Sequence, residues 1–131
     1  MKPKSRILIV DDEAPMCFVI QHLLRAEGYE VSTASNGQEA IEIASKERFD
    51  LVMTDLIMPL KDGIETILHL RASQPEMKII AMSGGWNGGA QSYLRLAGKI
   101  GASQTLAKPF DKATLLEAIK REIGGPQVVP A

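Results

Sequence analysis

Short apolar runs rich in β-branched residues alternate with longer stretches whose apolar residues recur at helical spacing, and the pair repeats five times along the chain. Strands are expected over 5–10, 29–34, 50–54, 77–82 and 103–107. The intervening stripes are Met16, Val19, Ile20, Leu23 and Leu24, then Ala40, Ile41 and Ala44, then Ile64, Ile67 and Leu68. A fourth helix is expected over 90–100, and a last one carries Leu115, Leu116, Ile119 and Ile123. The punctuation agrees. Pro15 suits a first helical turn, Gly28 and Gly101 suit helix ends, Asn36 or Gly37 and Asp111 suit helix starts, and Pro75 and Gly124-Gly125-Pro126 stop what precedes them. Strands joined by helical crossovers run parallel, and near-continuous apolar strands belong in a sheet covered on both faces. The fold class is therefore α/β, a doubly wound (βα)5 sheet of five parallel strands. Alternation alone leaves the strand order open. At 131 residues there is room for one domain, 1–125, followed by a short tail, 126–131.

Composition removes several function classes. Fifteen basic residues against sixteen acidic ones give a formal charge of −1, too balanced for a broad grip on nucleic acid or an anionic membrane. No apolar run reaches the length of a membrane span, and the start MKPKSR lacks a signal-peptide core, so a cytoplasmic protein is expected. The single cysteine, Cys17, excludes an internal disulfide and a cysteine metal cage, and is expected to pack as a small apolar residue.

The chemistry gathers at the strand ends. Asp55 closes the third strand, and a carboxylate at the end of an interior strand is costly unless its charge is used. Ligands of open α/β sheets bind outside the carboxyl ends of the strands, and right-handed crossovers bring several of those ends to one edge. There the first strand brings Asp11 and Asp12, the third Asp55, the fourth Ser83 and the fifth Lys108. Crowded carboxylates repel one another unless a cation intervenes, and hard oxygen ligands suit Mg2+. Neither His22 nor His69 lies at a strand end, which speaks against zinc. A nucleophilic carboxylate, a metal site, a lysine and a hydroxyl form a phosphoryl-transfer set. Each part has a plainer alternative: Asp11 and Asp12 as a helix N-terminus, Lys108-Pro109 as an element boundary, Ser83 as loop.

VDDE after the first strand, MTDLIMPLKDG around Asp55, AMSG after the fourth and LAKPF after the fifth resemble the receiver domain of two-component response regulators. The motifs come in the right order, and the likeness runs to the last helix. It implies a flavodoxin-like sheet of order 2-1-3-4-5 and a phosphoryl group received on Asp55 from a histidine kinase or histidine phosphotransfer protein. Position by position, Asp12 matches the direct Mg2+ ligand, Asp11 the ligand acting through water and Ile57 the backbone-carbonyl ligand. Ser83 matches the switch hydroxyl, and Lys108, with a cis bond to Pro109, the phosphate-contacting lysine. The expected protein is a stand-alone phosphoacceptor switch, not an enzyme in the turnover sense, although it assists its own phosphorylation and dephosphorylation. It would dock a downstream protein through its helix-4, strand-5, helix-5 face.

The sequence departs from the family pattern in three places. Thr105 stands where an aromatic residue usually swings inward. The 83–101 segment is a few residues longer than the family norm and rich in glycine, and its loop is expected to be mobile and to carry Trp86. Ile57 and Gly85 occupy positions that tune dephosphorylation, and neither orients water, so a long-lived phosphoryl group is expected. These departures keep a second reading open, a protein-docking module indifferent to phosphate. An aspartate-nucleophile phosphatase wants a second Asp two residues after the nucleophile and a cap, and a flavin carrier wants a phosphate loop after the first strand; the chain has neither.

Overall fold

The computed structural model describes residues 5–56, 62–84 and 89–124, with the backbone alone for 89–93. The elements follow the expected order: β1 (Arg6–Val10), α1 (Ala14–Ala26), β2 (Glu30–Ala34), α2 (Gly37–Lys46), β3 (Leu51–Asp55), α3 (Gly63–Ser73), β4 (Lys78–Gly84), α4 (Gly89–Ile100), β5 (Gln104–Lys108) and α5 (Lys112–Ile123). Among the described residues they form one sheet of order β2-β1-β3-β4-β5, with every neighbouring pair parallel. This is the doubly wound arrangement and strand order that the resemblance implies.

Alternation along each strand divides the core between the two faces. From β1, Leu8 and Val10 join Val52, Ile79 and Ala81 under Ala40, Ile67, Leu70 and Ala97 of α2, α3 and α4. Ile7 and Ile9 point the other way, with Met53, Ile80 and Leu106, under Ile20 and Leu24 of α1 and Leu115 and Ile119 of α5. Each fully buried aliphatic side chain contributes about 1.5–3 kcal/mol of transfer free energy, so the helices on both faces stabilise the sheet between them.

Local signals set the helix ends. The side chains of Asn36, Asp62 and Asp111 accept hydrogen bonds from the amides of Glu39, Glu65 and Thr114 at 2.8, 3.0 and 2.7 Å. Pro15 occupies the first turn of α1. Gly28 and Gly101 follow α1 and α4 at φ of 99° and 135°, a region that glycine enters without steric cost.

Two helical faces differ from expectation. Val19 is 53% exposed and Leu68 50%, although both lie in their helices' apolar stripes. On α1 the buried line runs through Cys17, Ile20 and Leu24, rotated by about one residue. On α3 it runs through Thr66, Ile67 and Leu70. Two strands also run further than expected: β4 and β5 continue pairing to Gly84 and Lys108, so Ser83 sits in a strand rather than a loop. Among the described residues, no helix is long and apolar enough to cross a membrane.

Candidate functional site

The site lies at the C-terminal edge of the sheet, where β1, β3, β4 and β5 end side by side. Asp11 follows β1 and continues its pairing, since its amide donates to the Ala34 carbonyl at 3.1 Å. It is 1% exposed, and its Oδ1 accepts from the Glu13 amide at 3.0 Å, which fixes the carboxylate plane. Asp12, the next residue, is exposed. Asp55 is the last residue of β3 and 6% exposed. Each of these three offers a carboxylate oxygen, and the three oxygens lie within 4.8 Å of one another.

Lys108 ends β5 and reaches into this group. Its Nζ donates to Asp11 Oδ2 at 2.7 Å and to Asp55 Oδ2 at 3.2 Å. Burial alone would lower the lysine pKa. The hydrogen bond to Asp11, the charges of Asp55 and Asp11, and the hydrogen bond to Asp55 together outweigh it and hold the ammonium above its ordinary value. The following Lys108–Pro109 peptide is cis, as expected.

Ser83 is fully buried, and its hydroxyl has no hydrogen-bond partner among the described residues. In register it lies one residue beyond Met82, the partner of Asp55, and one before Gly84, the partner of Lys108. A buried hydroxyl left unpaired costs about 1–3 kcal/mol, and a phosphoryl oxygen held at this edge would give the Ser83 hydroxyl an acceptor. The donor set passes the test for Mg2+. Its atoms are all hard oxygens, closely spaced, with one member exposed enough to leave waters on the ion.

Thus Asp11, Asp12, Asp55 and Lys108 come together, and Ser83 lies in register between the strands of Asp55 and Lys108. Ile57, Gly85 and the Trp86 loop lie outside the described residues. Thr105 is exposed and pairs with Ala81 in the sheet register. His22 and His69 are exposed on their helices, away from the strand ends.

Cys17 packs as expected at 8% exposure, but its place was not legible in advance. Its thiol donates to the Asp11 carbonyl at 3.3 Å, and burial first, then the Asp11 charge, push its pKa up to about 11. Asp62 caps α3 and Gly63 is its first residue, one position ahead of the apolar stripe that begins at Ile64. An Asp-Gly pair three residues before Thr66 and Ile67 was the available signal.

Volume is a poor guide to this site. A cleft of about 680 Å³ opens at the opposite end of the sheet, beside Ser5, Phe49 and Met77. Asp11 and Asp12 border a smaller one of about 270 Å³, together with Cys17, Phe18 and Glu39. Asp55 and Lys108 line neither cleft, so the carboxylate cluster and the lysine bonded to it, rather than a cavity, mark the chemical site.

A doubly wound parallel sheet with three acids and a lysine at its carboxyl edge is the architecture that the receiver-domain resemblance implies. The chain matches the family model for the response regulator receiver domain over residues 7–120, and it belongs to that family. It is 33% identical to sporulation initiation phosphotransferase F of Bacillus subtilis, over 89% of this chain and 92% of that protein. It is 36% identical to the chemotaxis protein CheY of Thermotoga maritima, over 89% of this chain and 96% of that one. Among solved structures, it is similar to the response regulator protein TrrA from Thermotoga maritima in complex with Mg2+ and BeF. That match has a TM-score of 0.79 and 32% identity, over 89% of this chain and 97% of that one. In several curated transcriptional regulators that it also matches, the chain spans 26% to 48% of their length.

Proposed function

We propose that Asp55 accepts a phosphoryl group from a phosphohistidine donor in a Mg2+-dependent reaction, and that the domain signals through a resulting surface change. The observation that carries this reading is the convergence of Asp11, Asp12 and Asp55 within 4.8 Å, with Lys108 bonded to two of them. A carboxylate oxygen of Asp55 attacks phosphorus, and the bond from phosphorus to the donor imidazole nitrogen breaks. The electron pair stays on that nitrogen. Lys108 then exchanges its Asp55 contact for a phosphoryl oxygen, and the Ser83 hydroxyl donates to another. Mg2+, when bound, would cancel the repulsion between carboxylate and phosphoryl group, held by Asp11, Asp12 and Asp55 and, by resemblance, by the Ile57 carbonyl. The donor would be a histidine kinase or histidine phosphotransfer protein.

A downstream protein would dock on the face built by α4, β5 and α5. Exposed Thr105 favours the second reading to this extent: there is no ring at 105 to move, so a partner could dock there regardless of phosphate. Phosphoramidate, whose P–N bond imitates phosphohistidine, separates the two. Intact mass should gain one phosphoryl group with Mg2+ and none in the Asp55→Asn variant. No gain in the wild-type chain would leave the docking module standing and remove the phosphoacceptor.

A further inference from the structure

At the start of α3 the chain turns back onto the residue that carries the chemistry. Gly63 is buried, and its amide donates to the Leu56 carbonyl at 3.0 Å. A Cβ added there would overlap the Asp55 carbonyl oxygen, and would stand 2.6 Å from Leu56 Cα and 3.0 Å from the Asp55 carbonyl carbon. All three are backbone atoms, so no rotamer change relieves the overlap. The φ of Gly63 lies outside the left-handed region, so what the position demands is space rather than conformational freedom.

Neither side of this contact yields easily. The Asp62 side chain caps the Glu65 amide, and Thr66 Oγ1 donates to the Asp62 carbonyl at 2.8 Å. Ile67 and Leu70 anchor the same helix in the core at 0% and 1% exposure. On the other side, the Leu56 amide donates to the Met82 carbonyl at 3.0 Å. From 2.6 Å to an ordinary contact of 3.4 Å the backbones would have to part by 0.8 Å at Leu56 Cα, and by more at the Asp55 carbonyl oxygen, which lies closer still.

We infer that Gly63 is a positioning residue for the phosphoacceptor. Its missing side chain lets the first turn of α3 lie directly on the Asp55–Leu56 peptide, and that contact sets where the Asp55 carboxylate stands relative to Asp11 and Asp12. Gly63 touches neither ion nor donor; it acts through the backbone of Asp55. The inference rests on Asp55 as acceptor and on the acids as the Mg2+ site.

The test compares Gly63→Ala with two controls. Gly98→Ala adds a methyl to α4 where nothing lies within 4 Å, and Ile119→Val trims the core of α5. Mg2+ affinity is read by titration calorimetry, and phosphorylation by intact mass after phosphoramidate. A misplacement of order 1 Å costs roughly a hundredfold in rate, so Gly63→Ala should phosphorylate about 10–100-fold more slowly. Its Mg2+ affinity should fall with it, while both controls keep wild-type values. A folded Gly63→Ala protein with wild-type Mg2+ affinity overturns the inference, because a merely structural glycine would alter stability alone. If Gly63→Ala fails to fold, Asp62→Ala takes its place. It removes the cap and frays the turn, so weakened Mg2+ binding supports positioning and wild-type binding overturns it. If the wild-type chain binds Mg2+ but takes no phosphoryl group, the proposed function fails, while the Mg2+ affinities still decide the role of Gly63.

Discussion

Replacing Asp12 by asparagine should stabilise the metal-free protein and destabilise it relative to wild type once Mg2+ is present. The carboxylates of Asp11, Asp12 and Asp55 lie within 4.8 Å of one another. Two like charges at that separation repel by about 0.9 kcal/mol in bulk water and about 3.5 kcal/mol at an effective dielectric of 20. Asp12 is exposed, so the lower figure governs, and Lys108 offsets part of the repulsion from its two neighbours. About one uncompensated pair remains, and Asp12→Asn should gain about 1 kcal/mol in EDTA, close to 4 °C in Tm for a chain of this size. Added salt should shrink that gain. Mg2+ at a hundred times its Kd stabilises the wild type by about 2.7 kcal/mol, whereas the variant, short of one anionic ligand, gains little. The two thermal unfolding curves should therefore change order between EDTA and saturating Mg2+. An Asp12→Asn protein that is less stable than wild type in EDTA, or that gains as much from Mg2+, would refute the reasoning.

Other perturbations test other parts. Lys108→Met leaves Asp11 and Asp55 buried without their ammonium partner, and should cost about 3 kcal/mol in urea unfolding with EDTA, part of it recovered by Mg2+. Equal stability in EDTA would mean that the pairs offset no repulsion. The raised Cys17 pKa makes its stabilising contribution complete below the ordinary value of 9.0, and lost as pH climbs through about 11. Native protein at pH 9 should thus react with iodoacetamide far more slowly than unfolded protein, and equal rates would contradict the burial. Asn36→Ala removes the cap of α2 and should cost about 1 kcal/mol with phosphorylation unchanged. Ile57 and Gly85 offer no side chain that orients water, so the phosphoryl group should outlast minutes in purified protein with Mg2+, and decay within seconds would count against this.

Alternation of strand and helix was legible because each period leaves its own apolar rhythm, and β1 displays it fully: every residue from Ile7 to Val10 is buried, alternately on the two faces. Strand order was not legible from that rhythm, since any parallel sheet produces it; the motif resemblance supplied it. Helix phase was ambiguous wherever apolar residues spread beyond one face. Val19 and Leu68 read as core because the stripes are wide, and contacts with the sheet, invisible in a helical wheel, chose Cys17 and Thr66 instead. Ser83 read as loop because two glycines follow it, yet pairing of Gly84 with Lys108 extends both strands. The acids and Lys108 could be gathered from strand ends by topology. The contact of Gly63 with the Asp55 backbone could not, because only the path of α3 against β3 brings it about.

The most direct measurement of the central claim is to trap the acyl phosphate. After phosphoramidate and Mg2+, borohydride reduces an aspartyl phosphate to the alcohol, and peptide mass spectrometry locates it. The account predicts homoserine at position 55, dependent on Mg2+ and abolished by EDTA. Homoserine at another aspartate, or none despite bound Mg2+, would contradict it.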